Sequence, residues 1–366
     1  MSPKQKLQNR YLPEDVIVEI LARVPVKNLL RFKCVCTRWR KLILSPWFVS
    51  LHLNRSIFNP TRHSILVPSR CGNQSVSLDP VTFSPIQNFN QAHSFAQRVM
   101  YVGSINGLLC IRGDSPDCIS IWNPSTRLFK KLPLGRHYSP INISFGFGWD
   151  PIANDYKVIK IGYQSNLENG QIKTWAEVWS ANSDSWREIK VERNFFLCRN
   201  VYDVFVKGFA HWLVKDGLKS NIKPLVASFD MNTEVLQLVP VPEHLIGKPS
   251  ALFCMNWKET FALAGCVSRE PTKIYQVWTM ESGSVGKEPW SKKFTFELDV
   301  DFYCFLYNVN GKLLLNRHGD VILYDVETRE TKTIVTQWMV RVQYHVESLV
   351  SIKGFNPLGK DAKKME

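Results

Sequence analysis

The run Ile121-Trp122-Asn123-Pro124-Ser125-Thr126-Arg127-Leu128 has two further copies, Ser228-Phe229-Asp230-Met231-Asn232-Thr233-Glu234-Val235 and Leu323-Tyr324-Asp325-Val326-Glu327-Thr328-Arg329-Glu330. Each places an apolar or aromatic residue before an Asp or Asn, leaves two spacers, sets a Thr, and enters a second apolar stretch. Looser copies are Val178-Trp179-Ser180-Ala181-Asn182-Ser183 ahead of Trp186, Leu78-Asp79-Pro80 and Val277-Trp278-Thr279. The physical content is a hairpin, in which the Asx side chain caps the turn and the flanking strands alternate apolar residues.

The anchors Leu78, Trp122, Trp179, Phe229, Trp278 and Tyr324 stand 44, 57, 50, 49 and 46 residues apart. A further strand precedes most of them, over 107–111, 157–161, 208–214, 261–267 and 311–316. A period near 50 with several short strands per unit is what a kelch-like β-propeller blade requires, and six units predict about six blades. The competing architecture is a β-sandwich with evenly spaced hairpins. A weak helical signal across 63–350 argues against an α/β fold.

Outward from this region the texture changes. Between Pro13 and Val24, Val16, Ile17, Ile20, Leu21 and Val24 draw a helical stripe, with Pro13 suited to the first turn and Glu14 and Asp15 favourable to the helix dipole. Pro25 stops that helix. A second carries Leu29, Leu30 and Phe32, and a third Val35, Trp39, Leu42 and Ile43; a last short helix covers 47–53. Three short helices bury little surface, and such a unit usually leans on a partner. Leu12, Leu21, Phe32, Val35 and Trp39 exceed what so small a bundle can hide, so apolar side chains are left over for docking.

Charge points the same way. The chain of 366 residues has a formal net charge of +14, and residues 1–50 hold ten Lys/Arg against three acids, half of that excess. An acidic partner fits such a patch. Nine cysteines, mostly inside apolar runs and without a Cys-x-x-Cys pair, speak for buried free thiols, a reducing compartment and no zinc motif. Residues 1–10 lack a signal-peptide core, and no run of eighteen apolar residues occurs; cytoplasmic and/or nuclear placement is expected.

The stretch Leu12-Pro13-Glu14-Asp15, Ile20-Leu21, Arg23-Val24-Pro25-Val26, Leu29-Leu30-Arg31-Phe32, Cys34-Val35-Cys36, Trp39 and Ile43 resembles an F-box. That resemblance implies docking to an acidic Skp-type adaptor and, through it, to a cullin–RING ligase. It places adaptor contacts on Leu12, Pro13, Ile20, Leu21, Leu29, Phe32, Val35, Cys36, Trp39, Leu42 and Ile43, with Ile20 and Leu29 as core members and Leu12, Pro13 and Trp39 as the foremost contacts. Farther on, Gly103-Ser104-Ile105-Asn106-Gly107-Leu108-Leu109-Cys110, Trp122-Asn123-Pro124-Ser125-Thr126, Phe145-Gly146-Phe147-Gly148-Trp149-Asp150, Asp155-Tyr156-Lys157-Val158 and Gly208-Phe209-Ala210-His211-Trp212-Leu213 resemble the F-box-associated domain of plant F-box proteins, with a texture at 48–55 similar to S-locus members. The expected organisation is an all-α F-box of three short helices at 8–53, a linker at 54–62, an all-β propeller domain at 63–350 and a basic flexible tail at 351–366.

No local catalytic motif stands out. Gly146-x-Gly148 lacks the third glycine of a dinucleotide loop, no phosphate-binding loop exists, and Ser104 lacks a nucleophile-elbow setting. No metal or cofactor is expected. The resemblance implies a substrate-recognition subunit of a Skp–cullin–F-box ubiquitin ligase that presents a protein target without catalysing the transfer. Target contacts are expected at one rim, in 135–142, 163–173, 215–224 and 282–290, with His137 as a candidate. The alternatives are an F-box scaffold outside any ligase, a propeller enzyme, and a nucleic-acid binder.

Overall fold

A computed structural model describes residues 12–68, 74–90, 99–113, 115, 118–137, 142–165, 171–198, 203–216, 223–246, 252–268, 272–281, 289–298, 304–309, 312–317, 320–335 and 342–357. Four helices come first: α1 (Glu14–Ala22), α2 (Val26–Phe32), α3 (Thr37–Leu44) and α4 (Pro46–Ile57). Prolines 13 and 25 occupy the caps of α1 and α2. Ser45 ends α3 and starts α4, its Oγ accepting the Phe48 N–H at 3.2 Å. The module therefore has four helices where three short ones and a brief fourth are expected. The linker expected at 54–62 is instead the last turn of α4 and a 3-10 turn, Pro60–Arg62.

Among the described residues the strands form six sheets, arranged as the blades of a six-bladed β-propeller. Blades 2, 3, 5 and 6 are meanders, with inner strands Met100–Ile105, Ile143–Asp150, Leu252–Trp257 and Cys304–Val309. Blade 4 splits its inner strand into Phe195–Leu197 and Val204–Val206, both paired with Phe209–Asp216. Blade 1 draws on both ends of the domain: Gln343–Val346 pairs with His63–Pro68, in register Ile65 to Tyr344. That pairing closes the ring, and a sandwich is excluded.

Five of the six anchors are buried on the third strand of their blade; Trp278, where the ladder slips between Val277 and Trp278, is only partly covered. The Asx turns form as the repeat predicts. Asp79, Asn123, Asp230 and Asp325 each accept the N–H two residues ahead, at 2.8–3.0 Å. Four residues beyond each one, Phe83, Arg127, Glu234 and Arg329 take positive φ, as Asp184 does after Ser180. Apolar clusters fill the spaces between neighbouring blades, as between blades 2 and 3, where Leu108, Ile121, Phe147, Val158 and Trp179 meet.

Strand alternation fixes two ends. Turns between strands 1 and 2, and between 3 and 4, lie at the end where the helices attach; the other connections lie at the opposite end. The described flanks of 135–142, 163–173 and 215–224 thus lie at the far end, whereas Met280 and Trp290, on either side of 282–288, end strand 3 and begin strand 4 of blade 5 at the helical end. One shared rim is not what the topology allows. The central parts of all four segments lie outside the described residues. The flexible tail expected from 351 is also revised: Asn356–Pro357 adds a fifth strand to blade 2 against Leu128 and Phe129, and Gly107 packs beside Ser348. Residues 358–366 lie outside the described set.

Candidate functional site: the helical docking face and its seat

The helical core gathers Val18, Leu21, Ala22, Val26, Leu29, Ile43 and Phe48, with Leu349 contributed from beyond the last blade strand. In α1 the buried positions 18, 21 and 22 mark the inward face. Val16 and Ile20 share the opposite face, one turn apart, and are 36% and 49% exposed. Leu12, Val35, Leu44 and Trp47 are exposed as well. A nine-residue helix with apolar residues on two faces can bury only one in a four-helix module, which leaves the second for a partner.

The expected contacts are thereby sorted. Leu12, Pro13, Val35 and Cys36 are exposed; Phe32, Trp39 and Leu42 are half-buried, with the Phe32 and Trp39 rings 5.7 Å apart; Leu21, Leu29 and Ile43 are buried. Ile20, expected in the core, points outward because it sits off the 18–21–22 stripe. Leu21 and Ile43, expected as contacts, hold the core. Val16, Leu44 and Trp47 are exposed too, though not among the expected contacts. Val16 was detectable as the i−4 neighbour of Ile20, whereas the outward aim of Trp47 follows from how α4 seats on the blades.

Around this apolar face two of the three acids are neutralised internally, and Asp15 enters no ion pair among the described residues. Glu14 pairs with Arg38 at 3.1 Å, and Glu19 pairs with Arg23 at 3.3 Å and with Arg55. Lys27, Arg31, Arg40 and Lys41 are exposed and enter no ion pair among the described residues. Exposed basic side chains and exposed apolar ones on the same small module are complementary to an acidic surface with apolar patches.

The module is seated on the propeller by polar groups as well as by packing. Arg62 is 8% exposed; its guanidinium reaches Ser56 Oγ at 2.9 Å, His52 Nε2 at 3.1 Å and the Ala22 carbonyl at 3.4 Å. Glu347 Oε1 accepts the Val26 N–H at 2.9 Å, and its own N–H donates to the Arg62 carbonyl at 2.9 Å. Burial is the largest cause that pulls His52 down to about 4, with the Arg62 charge adding to it. Val49 and Leu53 of α4 pack into the cluster between blades 2 and 3.

At the far end, His137 is clipped to blade 3. Its N–H and that of Arg136 donate to Glu177, its carbonyl accepts from Lys160 Nζ, and its ring stacks on Trp175 at 4.7 Å and bonds Glu188 at 2.9 Å. The side chain is 30% exposed. Among the described residues no group of three His, Cys, Asp or Glu is placed to hold a metal ion, and no helix is long and apolar enough to cross a membrane.

Two family models match. Residues 11–51 match the F-box domain, and residues 65–352 match the F-box associated beta propeller domain. The chain belongs to the F-box proteins that carry an F-box-associated β-propeller. An F-box/kelch-repeat protein of Arabidopsis thaliana is 26% identical over 322 residues, covering 83% of this chain and 84% of that one. The F-box protein CPR1 of the same plant is 24% identical over 363 residues, covering 88% and 84%. In this F-box protein, then, the two matched segments meet at Arg62, which lies between them and bonds both the Ala22 carbonyl and the Glu347 N–H.

Proposed function

We propose that this F-box protein is the target-holding subunit of a Skp–cullin–F-box ubiquitin ligase. The observation that carries the reading is the outward face of α1 with Val16 and Ile20, beside the exposed apolar Leu12, Val35, Leu44 and Trp47 and the exposed Lys27, Arg31, Arg40 and Lys41, which enter no ion pair among the described residues. An acidic Skp-type adaptor suits that face, and a cullin–RING assembly follows through the adaptor. The propeller holds the target near the ubiquitin-charged enzyme, so the chain contributes proximity and no catalytic group. It works in the cytoplasm, the nucleus or both. The S-locus-like texture at 48–55 falls in α4, which seats the module, and speaks for architecture more than for a particular target.

The test is capture of a purified Skp-type adaptor and cullin by the full chain and by Val16→Glu/Ile20→Glu. Stoichiometric capture by the parent and loss by the variant support the reading. Equal capture by both places the interface elsewhere; no capture by the parent sinks the ligase assignment and leaves a scaffold role.

A further inference from the structure

At the end of the propeller where the F-box attaches, the inner strands enclose a funnel of about 770 Å³, large enough for several side chains of a ligand. Trp149, Phe205, Phe209 and Tyr344 offer aromatic surface along its walls, and the 79% exposed Ile152 stands at its edge. Among the described residues its charged lining residues are Asp203, Asp230 and Glu259, against a single Lys207. In a chain of +14, this is a concave surface of opposite sign.

Glu259 is reached in an uncommon way. The turns between strands 1 and 2 of blades 2 and 4 use Asn106-Gly107 and Lys207-Gly208, each pair at positive φ, which glycine adopts without a steric cost. Blade 5 has Lys258 at φ 48° and Glu259 at φ 58° in the same turn. A left-handed conformation costs a side-chain-bearing residue about 1 kcal/mol. Here it sets an exposed carboxylate, in no ion pair among the described residues, on the funnel lining. Aromatic faces and carboxylates around a partly dehydrated space favour an ammonium or guanidinium over a neutral or anionic group.

We propose that the funnel receives an extended segment of the protein target that presents an arginine or lysine between aliphatic residues. The cation lies toward Glu259 and Asp230, and the aliphatic neighbours lie against Ile152 and Phe209. This deepens the target-holding reading and rests on it. The chain's own repeats supply two replacements that remove charge while keeping the turns: Asp230→Asn, as at the equivalent Asn123, and Glu259→Gly, as at Gly107 and Gly208.

The experiment pans a library of terminally capped octapeptides on the full chain. Selected peptides are then compared with versions in which citrulline replaces arginine, on the parent and on D230N/E259G. Expected are enrichment of Arg or Lys with aliphatic flanks, at least a ten-fold loss on citrulline replacement, a similar loss in the double variant, and unchanged or higher thermal stability of E259G. Absence of basic enrichment, equal binding of the citrulline peptides, or undiminished affinity in the double variant overturns the proposal. Adaptor capture by the same preparations is measured in parallel. Its failure in the parent strikes the ligase reading, whereas failure of peptide selection with capture intact strikes only the funnel.

Discussion

The helical module and the propeller treat apolar surface in opposite ways. Of the fourteen large apolar side chains exposed among the described residues, eight lie between Leu12 and Phe58, while a propeller some five times longer accounts for six. Blades hide their Trp, Phe and Leu residues between two neighbours, and closure by Gln343–Val346 leaves no terminal blade uncovered. The helices have the blades on one side only. The difference teaches that the closed propeller covers most of its own apolar surface, whereas the helical module leaves a larger share of its apolar side chains exposed.

If the two regions are truly fused at Arg62, the largest effect comes from cutting there. Arg62→Ala leaves His52, Ser56 and the Ala22 carbonyl without their shared buried donor, at a cost of roughly 3 kcal/mol. Urea unfolding followed by helical and by tryptophan signals should shift to lower midpoints together; a shift in the helical signal alone would separate the regions. The comparison is sharpened by Ile20→Glu, which should weaken adaptor affinity by about thirty-fold or more, equivalent to about 2 kcal/mol, with little change in melting temperature. A stability loss instead would return Ile20 to the core.

The next effect probes the seam at blade 2. Asn123 accepts from Ser125 and Thr126 and donates to the Ser348 and Val350 carbonyls at 3.0 and 2.8 Å, with no exposure. Asn123→Asp should therefore cost about 2 kcal/mol by setting a carboxylate against two carbonyls. Asp79→Ala, which removes only an exposed turn cap, should cost about 1 kcal/mol.

Acid should loosen both regions. Burial holds His52 and His345 down to about 4, and His211 to about 3, against an unfolded value near 6.5. Between those limits the unfolded chain binds more protons than the folded one. Stability is thus full above about pH 6.5 and declines as pH falls toward 4, by at most about 1.4 kcal/mol per pH unit for each ring. Melting temperatures at pH 7 and pH 5 should differ by several degrees, and His52→Gln should narrow the gap. A flat profile would mean that these rings stay solvated.

The outline was legible because it is written locally. The Trp122-Asn123 plan and its copies encode turns whose hydrogen bonds span two to four residues, and they gave the blades and their number. Residues 54–62 misled because Asn, Arg, Pro and Thr resemble a linker, yet Ser56 and Arg62 are buried against α1 and α4. Which of the expected contact residues face outward was not legible: Ile20 and Leu21 are adjacent, equally apolar, and turned a hundred degrees apart.

By itself the sequence determined the stop at Pro25, the period near fifty, the Asx turns and the basic bias of the first fifty residues. These depend on backbone sterics, side-chain reach and composition, which act over a few positions. Only the tertiary structure decided which face of α1 is uncovered, that residues 343–346 close the ring, that Glu347 and Leu349 seat the F-box, and that Asp203, Asp230 and Glu259 share one funnel. Those facts join residues dozens to hundreds of positions apart, and the ring must close before any of them meet.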